Sequence, residues 1–154
     1  MKVYQFKHSQ FIPADLNTVW DFFSSPKNLN AITPPNMNFE IIEITNGEKM
    51  YDGQMISYKV TPLPFMRVTW VTEIMNVEPK KHFTDDQKKG PFAIWRHKHF
   101  FSEAGNGVVM TDEISYAVPF GVLGRIANWM VVAKQVDNIF NYRTERIKYL
   151  FPLK

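Results

Sequence analysis

Apolar and polar side chains alternate from Val3 to Ile12 (VYQFKHSQFI), with Tyr4, Phe6, His8, Gln10 and Ile12 on one side and Val3, Gln5, Lys7, Ser9 and Phe11 on the other. That two-residue period predicts a half-buried strand. Pro13 ends it, and Asp15 is placed to cap a helix whose Leu16, Val19, Trp20 and Phe23 recur at i, i+3, i+4 and i+7. A second short helix is predicted from the Ser25-Pro26 cap, with Leu29 and Ile32 inward. Thr33-Pro34-Pro35 stops it, because proline excludes the residue before it from helical dihedrals. Strand-like runs then follow over 39–44, 55–60, 68–77, 82–87, 92–103 and 108–118. They are separated by turn signals at Asn46-Gly47, Pro62 to Pro64, Pro79, Lys88 to Pro91 and Gly105-Asn106-Gly107. From Gly121 to Leu150 no proline intervenes, and Ile126, Met130, Ala133, Val136, Phe140 and Ile147 recur at helical spacing, which predicts one long amphipathic helix.

The predicted order is strand, two short helices, about six strands and a long C-terminal helix, an α+β arrangement with no repeat or internal linker. A single domain over 1–154 accommodates it, since 154 residues with 45% hydrophobic content can bury roughly two thirds of the unfolded surface. An antiparallel sheet of six to seven strands curves through twist and bulges, so a long helix laid across its concave face leaves space beneath it. Aromatic residues make up 15% of the chain, more than ordinary core filling needs, which points to a ring-rich core or a ring-lined cavity. Cysteine is absent, which excludes a disulfide framework, a thiolate metal cluster and a cysteine nucleophile. No apolar run approaches the ~20 residues of a membrane span, and Met1 to Gln10 lacks a signal-peptide hydrophobic region. A soluble cytoplasmic protein with nothing cleaved is expected. The net charge of +3 is modest, and basic and acidic residues are interspersed, so nucleic-acid binding gains no support.

The densest chemistry lies in GPFAIWRHKHFF, Gly90 to Phe101. On a strand, Trp95, His97, His99 and Phe101 share one face while Ile94, Arg96, Lys98 and Phe100 share the other. The face with two imidazoles and two large rings suits a partly polar cavity wall, although Ile94 and Phe100 keep the reverse assignment open. A tight hairpin at Gly105-Asn106 sets His99 opposite Asp112 and Trp95 opposite Tyr116. Asp112 would fix the His99 tautomer and favour its charged form. Three readings of this pair stay open: contact with a ligand, a polar core patch satisfied by neighbours and water, and an acid/base pair, His99 with Asp112, for which no activated hydroxyl can be nominated. His-x-His with Asp112 as an oxygen donor could also present metal ligands, but no Glu or third His falls at a compelling spacing. Arg143, three residues after Phe140, falls near the buried stripe, to receive an anionic ligand group or pair with Glu73 or Asp85, or else to snorkel into solvent.

Seven segments carry a family likeness: Ile12-Pro13-Ala14 leading into Val19-Trp20, then Thr33-Pro34-Pro35, Trp70-x-Thr72-Glu73-Ile74, and Phe83-x-Asp85-x-Gln87-x-x-Gly90-Pro91-Phe92. The others are Trp95-x-His97-x-His99-x-Phe101, Pro119-x-Gly121 and Phe140-x-Tyr142-Arg143. Together they resemble the SRPBCC superfamily, with its START and pollen-allergen-like helix-grip fold, and in particular its small bacterial ligand-binding branch labelled cell-division-inhibitor-like. The resemblance implies a hydrophobic pocket between the C-terminal helix and the sheet, used in relatives to bind lipids, sterols or polyketides. It names no ligand, and the superfamily contains enzymes as well as carriers.

The resulting expectation is a non-catalytic module that binds a small apolar or amphipathic molecule, lipid, polyketide or isoprenoid-like, with no cofactor and no metal. Trp95, His97, His99, Phe101, Asp112, Tyr116, Met130, Phe140 and Arg143 are its nominated contacts. Met55, Met66, Met75, Met110 and Met130 offer either an adaptable lining or plain core. The alternatives are a cyclase, dehydratase or hydrolase using His99 and Asp112, and a regulatory interaction protein related to cell division. Neither nucleic acid nor integral membrane association is expected, and the chain is read as a monomer or weak homodimer, with Trp129 and Val132 as a dimer contact or edge packing.

Overall fold

Local sequence signals set most element ends in the computed structural model, which describes residues 1–154. Strand β1 (Tyr4–Ile12) turns its odd-numbered residues to solvent and its even-numbered ones inward, as its alternation requires. Helix α1 (Leu16–Phe23) starts where Asp15 Oδ1 accepts a hydrogen bond from the Thr18 amide at 2.9 Å, and it buries Val19, Trp20 and Phe23. The second short helix is a 3-10 helix (Pro26–Ile32), not an α-helix, and Pro35 opens a further 3-10 turn (Pro35–Met37) that the proline stop signal did not announce. Proline supplies the fixed φ of a first turn in both.

Six more strands complete one antiparallel sheet: β2 (Glu40–Ile44), β3 (Met55–Leu63), β4 (Met66–Glu78), β5 (His82–Lys89), β6 (Ile94–Ala104) and β7 (Gly107–Ala117). Their order is β1-β7-β6-β5-β4-β3-β2, so the first two strands in sequence form opposite edges. Register shifts between Ile41 and Glu43, Val60 and Leu63, Val71 and Thr72, and Met75 and Glu78 bend the β2 to β5 half. Two boundaries differ from expectation. β3 runs through Pro62 to Leu63 and turns at Pro64-Phe65 in place of a longer loop, and β6 begins at Ile94, leaving Phe92 in a bend.

The C-terminal helix crosses the concave face, but it is not uniform. An α-helical start, α2 (Gly121–Ala127), passes through a π-helical turn (Asn128–Val132) into α3 (Ala133–Leu150). A π turn inserts about one extra residue and rotates the side chains before it by about 100° relative to those after it. The stripe therefore holds in α3, where Val136, Phe140 and Ile147 are buried, and fails before it, where Ile126 is exposed. Met130, nominated for the cavity, is 62% exposed for the same reason. What α2 and the π turn bury instead are the small Gly124 and Asn128; a Cβ at Gly124 would collide with the Pro119 carbonyl. No helix is long and apolar enough to cross a membrane.

Beneath the helix the packing is uneven. Trp20 and Phe23 of α1 meet Phe101, with Trp20 edge-on at 5.3 Å, and Ile12, Val108, Met110 and Ile147 close the same cluster. Away from α1 the residues spread into two smaller clusters, one between β7 and α3 around Ile114, Tyr116, Val136 and Phe140, the other on β3 and β4 around Met37, Val60 and Trp70. Space is left between them.

Candidate functional site

That space is a cavity of about 170 Å³, walled by β3, β4, β5 and β6, roofed by α3 and flanked by the two 3-10 segments. Seventeen of its 25 lining residues are hydrophobic, so an occupant gains mainly by losing apolar contact with water. Aromatic rings form the wall: Trp70 stacks on Tyr58 at 5.9 Å and meets Trp95 edge-on at 5.4 Å, and Phe92 lies 4.7 Å from Trp95. The even-numbered Phe92 reaches this wall because the bend frees it from the β6 alternation. The Gln87 side chain clamps it there, donating to the Phe92 carbonyl at 2.7 Å and accepting from its amide at 3.3 Å.

Into this apolar lining projects one polar cluster. Registers Asp85↔His97 and His99↔Asp112 bring two carboxylates and two imidazoles together across β5, β6 and β7. The rings of His97 and His99 stack at 3.7 Å. Asp112 Oδ1 accepts from His97 Nε2 at 2.7 Å and lies 3.1 Å from His99 Nδ1, though the latter lacks the alignment of a full hydrogen bond. On the cavity side Asp85 Oδ2 is 2.7 Å from His99 Nε2 and 3.7 Å from His97 Nδ1. Arg143 reaches in from α3, its guanidinium 3.8 Å from Asp112 Oδ1 and its ring partner Phe140 4.9 Å away.

Electrostatics divide the protons unevenly. Burial alone would raise the Asp112 carboxyl, but the hydrogen bond from His97, the close approach of His99 and the charge of both rings outweigh it and hold Asp112 far below the usual carboxylate range. Asp85 is likewise lowered, against its burial, by the charge of His97 and the bond from His99. Burial pushes both imidazoles down. His99, between two carboxylates, ends above its ordinary value, while His97, further opposed by the charge of His99, ends below. The two carboxylates thus favour the charged form of His99, and His97 is left favouring its neutral form. Burial, then the charge of Asp85, raises the nearby Tyr58 hydroxyl well above its normal range, so it is a hydrogen-bond donor at working pH.

Of the nine nominated side chains, Trp95, His97, His99, Phe140 and Arg143 line the cavity. Asp112 is buried behind the two imidazoles and holds them without facing the space. Phe101 belongs to the filled end, between Trp20 and Phe83, because the cavity stops at His99 along β6. Tyr116 packs behind Trp95 and Phe92 and stacks on Tyr4 at 5.4 Å, and Met130 faces outward. Arg143 does not snorkel: its side chain is only 12% exposed, and its carboxylate contact is Asp112 in place of Glu73, which pairs with Lys88 on the outer face. None of the five nominated methionines lines the cavity; Met37 and Met50 do. The sequence offers Asp85 only as a partner for Arg143. Its alternation with Phe83 and Gln87 puts it on the inner face of β5, but the irregular turn at 90–93 hides its register with His97.

No protein-family model and no curated protein sequence matches the chain. Solved structures do. TTHA0849 from Thermus thermophilus aligns with a TM-score of 0.67 and 14% identity, over 96% of this chain and 99% of that one. Major latex-like protein 151 from Panax ginseng aligns with a TM-score of 0.68 and 12% identity, over 98% and 99%. Ara h 8.0201 gives 0.62 and 12%, over 95% and 98%. At these identities the likeness establishes the fold, and the chain has the helix-grip architecture that its sequence resembles.

Proposed function

We propose that this helix-grip domain binds one small amphipathic molecule, of lipid, polyketide or isoprenoid-like character, in the cavity under α3. The carrying observation is an apolar hollow whose lining residues carry, besides His99 Nδ1 turned toward Asp112, two buried donors without partners, Trp70 Nε1 and Arg143 Nε. Buried donors are ordinarily satisfied, so these two mark where a ligand oxygen or a water completes the site. The hydrocarbon part then lies against Tyr58, Trp70, Phe92 and Trp95, and the oxygen-bearing head lies toward Arg143. The helix-grip neighbours agree with such a role at the level of architecture. Native mass spectrometry of freshly purified protein, followed by organic extraction, tests it. A retained apolar molecule, or saturable quenching of Trp70 and Trp95 by long-chain fatty acids or flat polyphenols, supports the proposal. Protein that recovers no molecule and takes up neither class sinks it.

A catalytic reading has its own observation. The 2.7 Å bond from His97 Nε2 to Asp112 leaves His97 Nδ1 without a hydrogen bond on a side chain lining the cavity, the arrangement of a general base. His97, not His99, would carry that role. Replacing both imidazoles by Gln separates the readings: a carrier keeps its ligand with altered selectivity, whereas an enzyme binds its substrate and fails to turn it over.

A further inference from the structure

The four-residue cluster has an asymmetry that ligand binding does not require. Each imidazole turns one nitrogen toward Asp112, His97 Nε2 in a hydrogen bond at 2.7 Å and His99 Nδ1 in a 3.1 Å contact that is not aligned as one. The opposite nitrogens, His97 Nδ1 and His99 Nε2, both face Asp85 Oδ2, and these three atoms lie within 4.8 Å of one another. All three residues line the cavity; Asp112 does not. A carboxylate behind two histidines that holds their far nitrogens, with a second carboxylate in front beside their near nitrogens, is how an orienting outer group and a ligand set divide the work around a metal ion.

We propose that Asp85 Oδ2, His97 Nδ1 and His99 Nε2 form a binding site for one divalent transition-metal ion, oriented from behind by Asp112 and open toward the cavity. Bonds of about 2.1 Å in tetrahedral geometry place neighbouring donor atoms about 3.4 Å apart. The observed separations from Asp85, 2.7 Å to His99 and 3.7 Å to His97, fall on either side of that value. Opening the shorter contact by less than an ångström seats the ion where a proton now bridges Asp85 and His99. Charge agrees. With both imidazoles serving as neutral ligands, Asp85 and Asp112 set against a dication and the Arg143 guanidinium leave one positive charge, able to attract an anionic head group. Two imidazoles and a carboxylate suit zinc, cobalt or ferrous ion over calcium or magnesium, which prefer all-oxygen sets. The site stands on these side chains whatever molecule fills the apolar space.

Titration of untagged, chelator-treated protein with Co²⁺ and Zn²⁺ tests it. One equivalent by calorimetry, with the visible absorption of low-symmetry Co²⁺, is expected. Asp85→Asn and His99→Gln should each abolish that spectrum, and His82→Gln, at a half-buried histidine outside the cluster, should leave it unchanged. Asp112 is a positioning residue, so Asp112→Asn should weaken binding about 10–100-fold while keeping the form of the spectrum. Circular dichroism confirms that each variant is folded. Ring-nitrogen NMR of the wild-type protein with Zn²⁺ needs no variant and should move His97 Nδ1 and His99 Nε2 in particular. Absence of stoichiometric binding to folded wild-type protein, or binding that survives both Asp85→Asn and His99→Gln, overturns the assignment. Neither result bears on whether the cavity retains an apolar molecule.

Discussion

The two ends of the helix–sheet interface are built from the same sheet and the same C-terminal helix, yet one is filled and the other is hollow. At the filled end α1 inserts Trp20 and Phe23 between the sheet and α3, against Phe83, Phe101 and Ile147. At the hollow end the corresponding cover is two 3-10 segments, whose Ile32 and Met37 reach the cavity rim but do not fill it. Rigid rings on the opposite wall, Tyr58, Trp70, Phe92 and Trp95, brace one another edge-on and face-on, so the wall resists collapse into the gap. An eight-residue helix is therefore what distinguishes a filled core from a cavity in this structure. The polar cluster sits at the border: His99 stacks on Phe83 of the filled end at 4.2 Å, and His97 meets Phe140 of the cavity roof at 5.8 Å. There the imidazoles are dry enough to need carboxylate partners and also border the open space.

The comparison is broken most severely by Phe101→Ala. If the α1 end is packed to interior density, the truncation leaves a void among Trp20, Phe23 and Phe83 and costs about 3–5 kcal/mol in denaturant-induced unfolding. A loss below about 1 kcal/mol would mean that this end relaxes as freely as a cavity wall. Adding volume sharpens the contrast with a smaller effect. Val108→Phe, at a position with no exposed surface, overpacks the filled end and should cost about 1–3 kcal/mol. Val60→Phe projects into the cavity, should change stability by less than about 1 kcal/mol, and should abolish uptake of the fluorescence-quenching ligand. Equal penalties at the two positions would remove the distinction between the ends.

Much of this difference was legible in the chain, and the parts that were not have physical causes. The strand face Trp95, His97, His99 and Phe101 follows from strict alternation, and the facing of His99 and Asp112 follows from a two-residue hairpin, so both stand in the structure. Alternation specifies a face and not a position along it, which is why Phe101 could not be distinguished from Trp95: the two lie on one wall, at opposite ends of it. Asp85 was hidden because the turn preceding β6 contains the Phe92 bend, and register across an irregular turn cannot be counted from residue numbers. Met130 was misplaced because helical periodicity assumes a constant 3.6 residues per turn, and no residue type in Asn128 to Val132 announces the wider turn that shifts it.

The smallest effect is expected where the sequence looks most like a core. Phe120, Leu123, Trp129 and Met130 would be read as buried from their hydrophobicity alone, yet all are largely exposed, Trp129 by 82%. Trp20, by contrast, is buried between Phe83 and Phe101. The same change made at both tryptophans isolates environment from chemistry. Trp20→Ala falls in the range of about 3–5 kcal/mol for buried aromatics, whereas Trp129→Ala should move unfolding by no more than about 0.5 kcal/mol, because the indole leaves water in neither state. Parallel urea titrations of the two variants, followed by circular dichroism so that loss of a tryptophan does not alter the probe, read the difference directly. A cost at Trp129 approaching that at Trp20 would mean that the α2 face is covered in solution, and the boundary between filled and open ends would then have to be redrawn to include it.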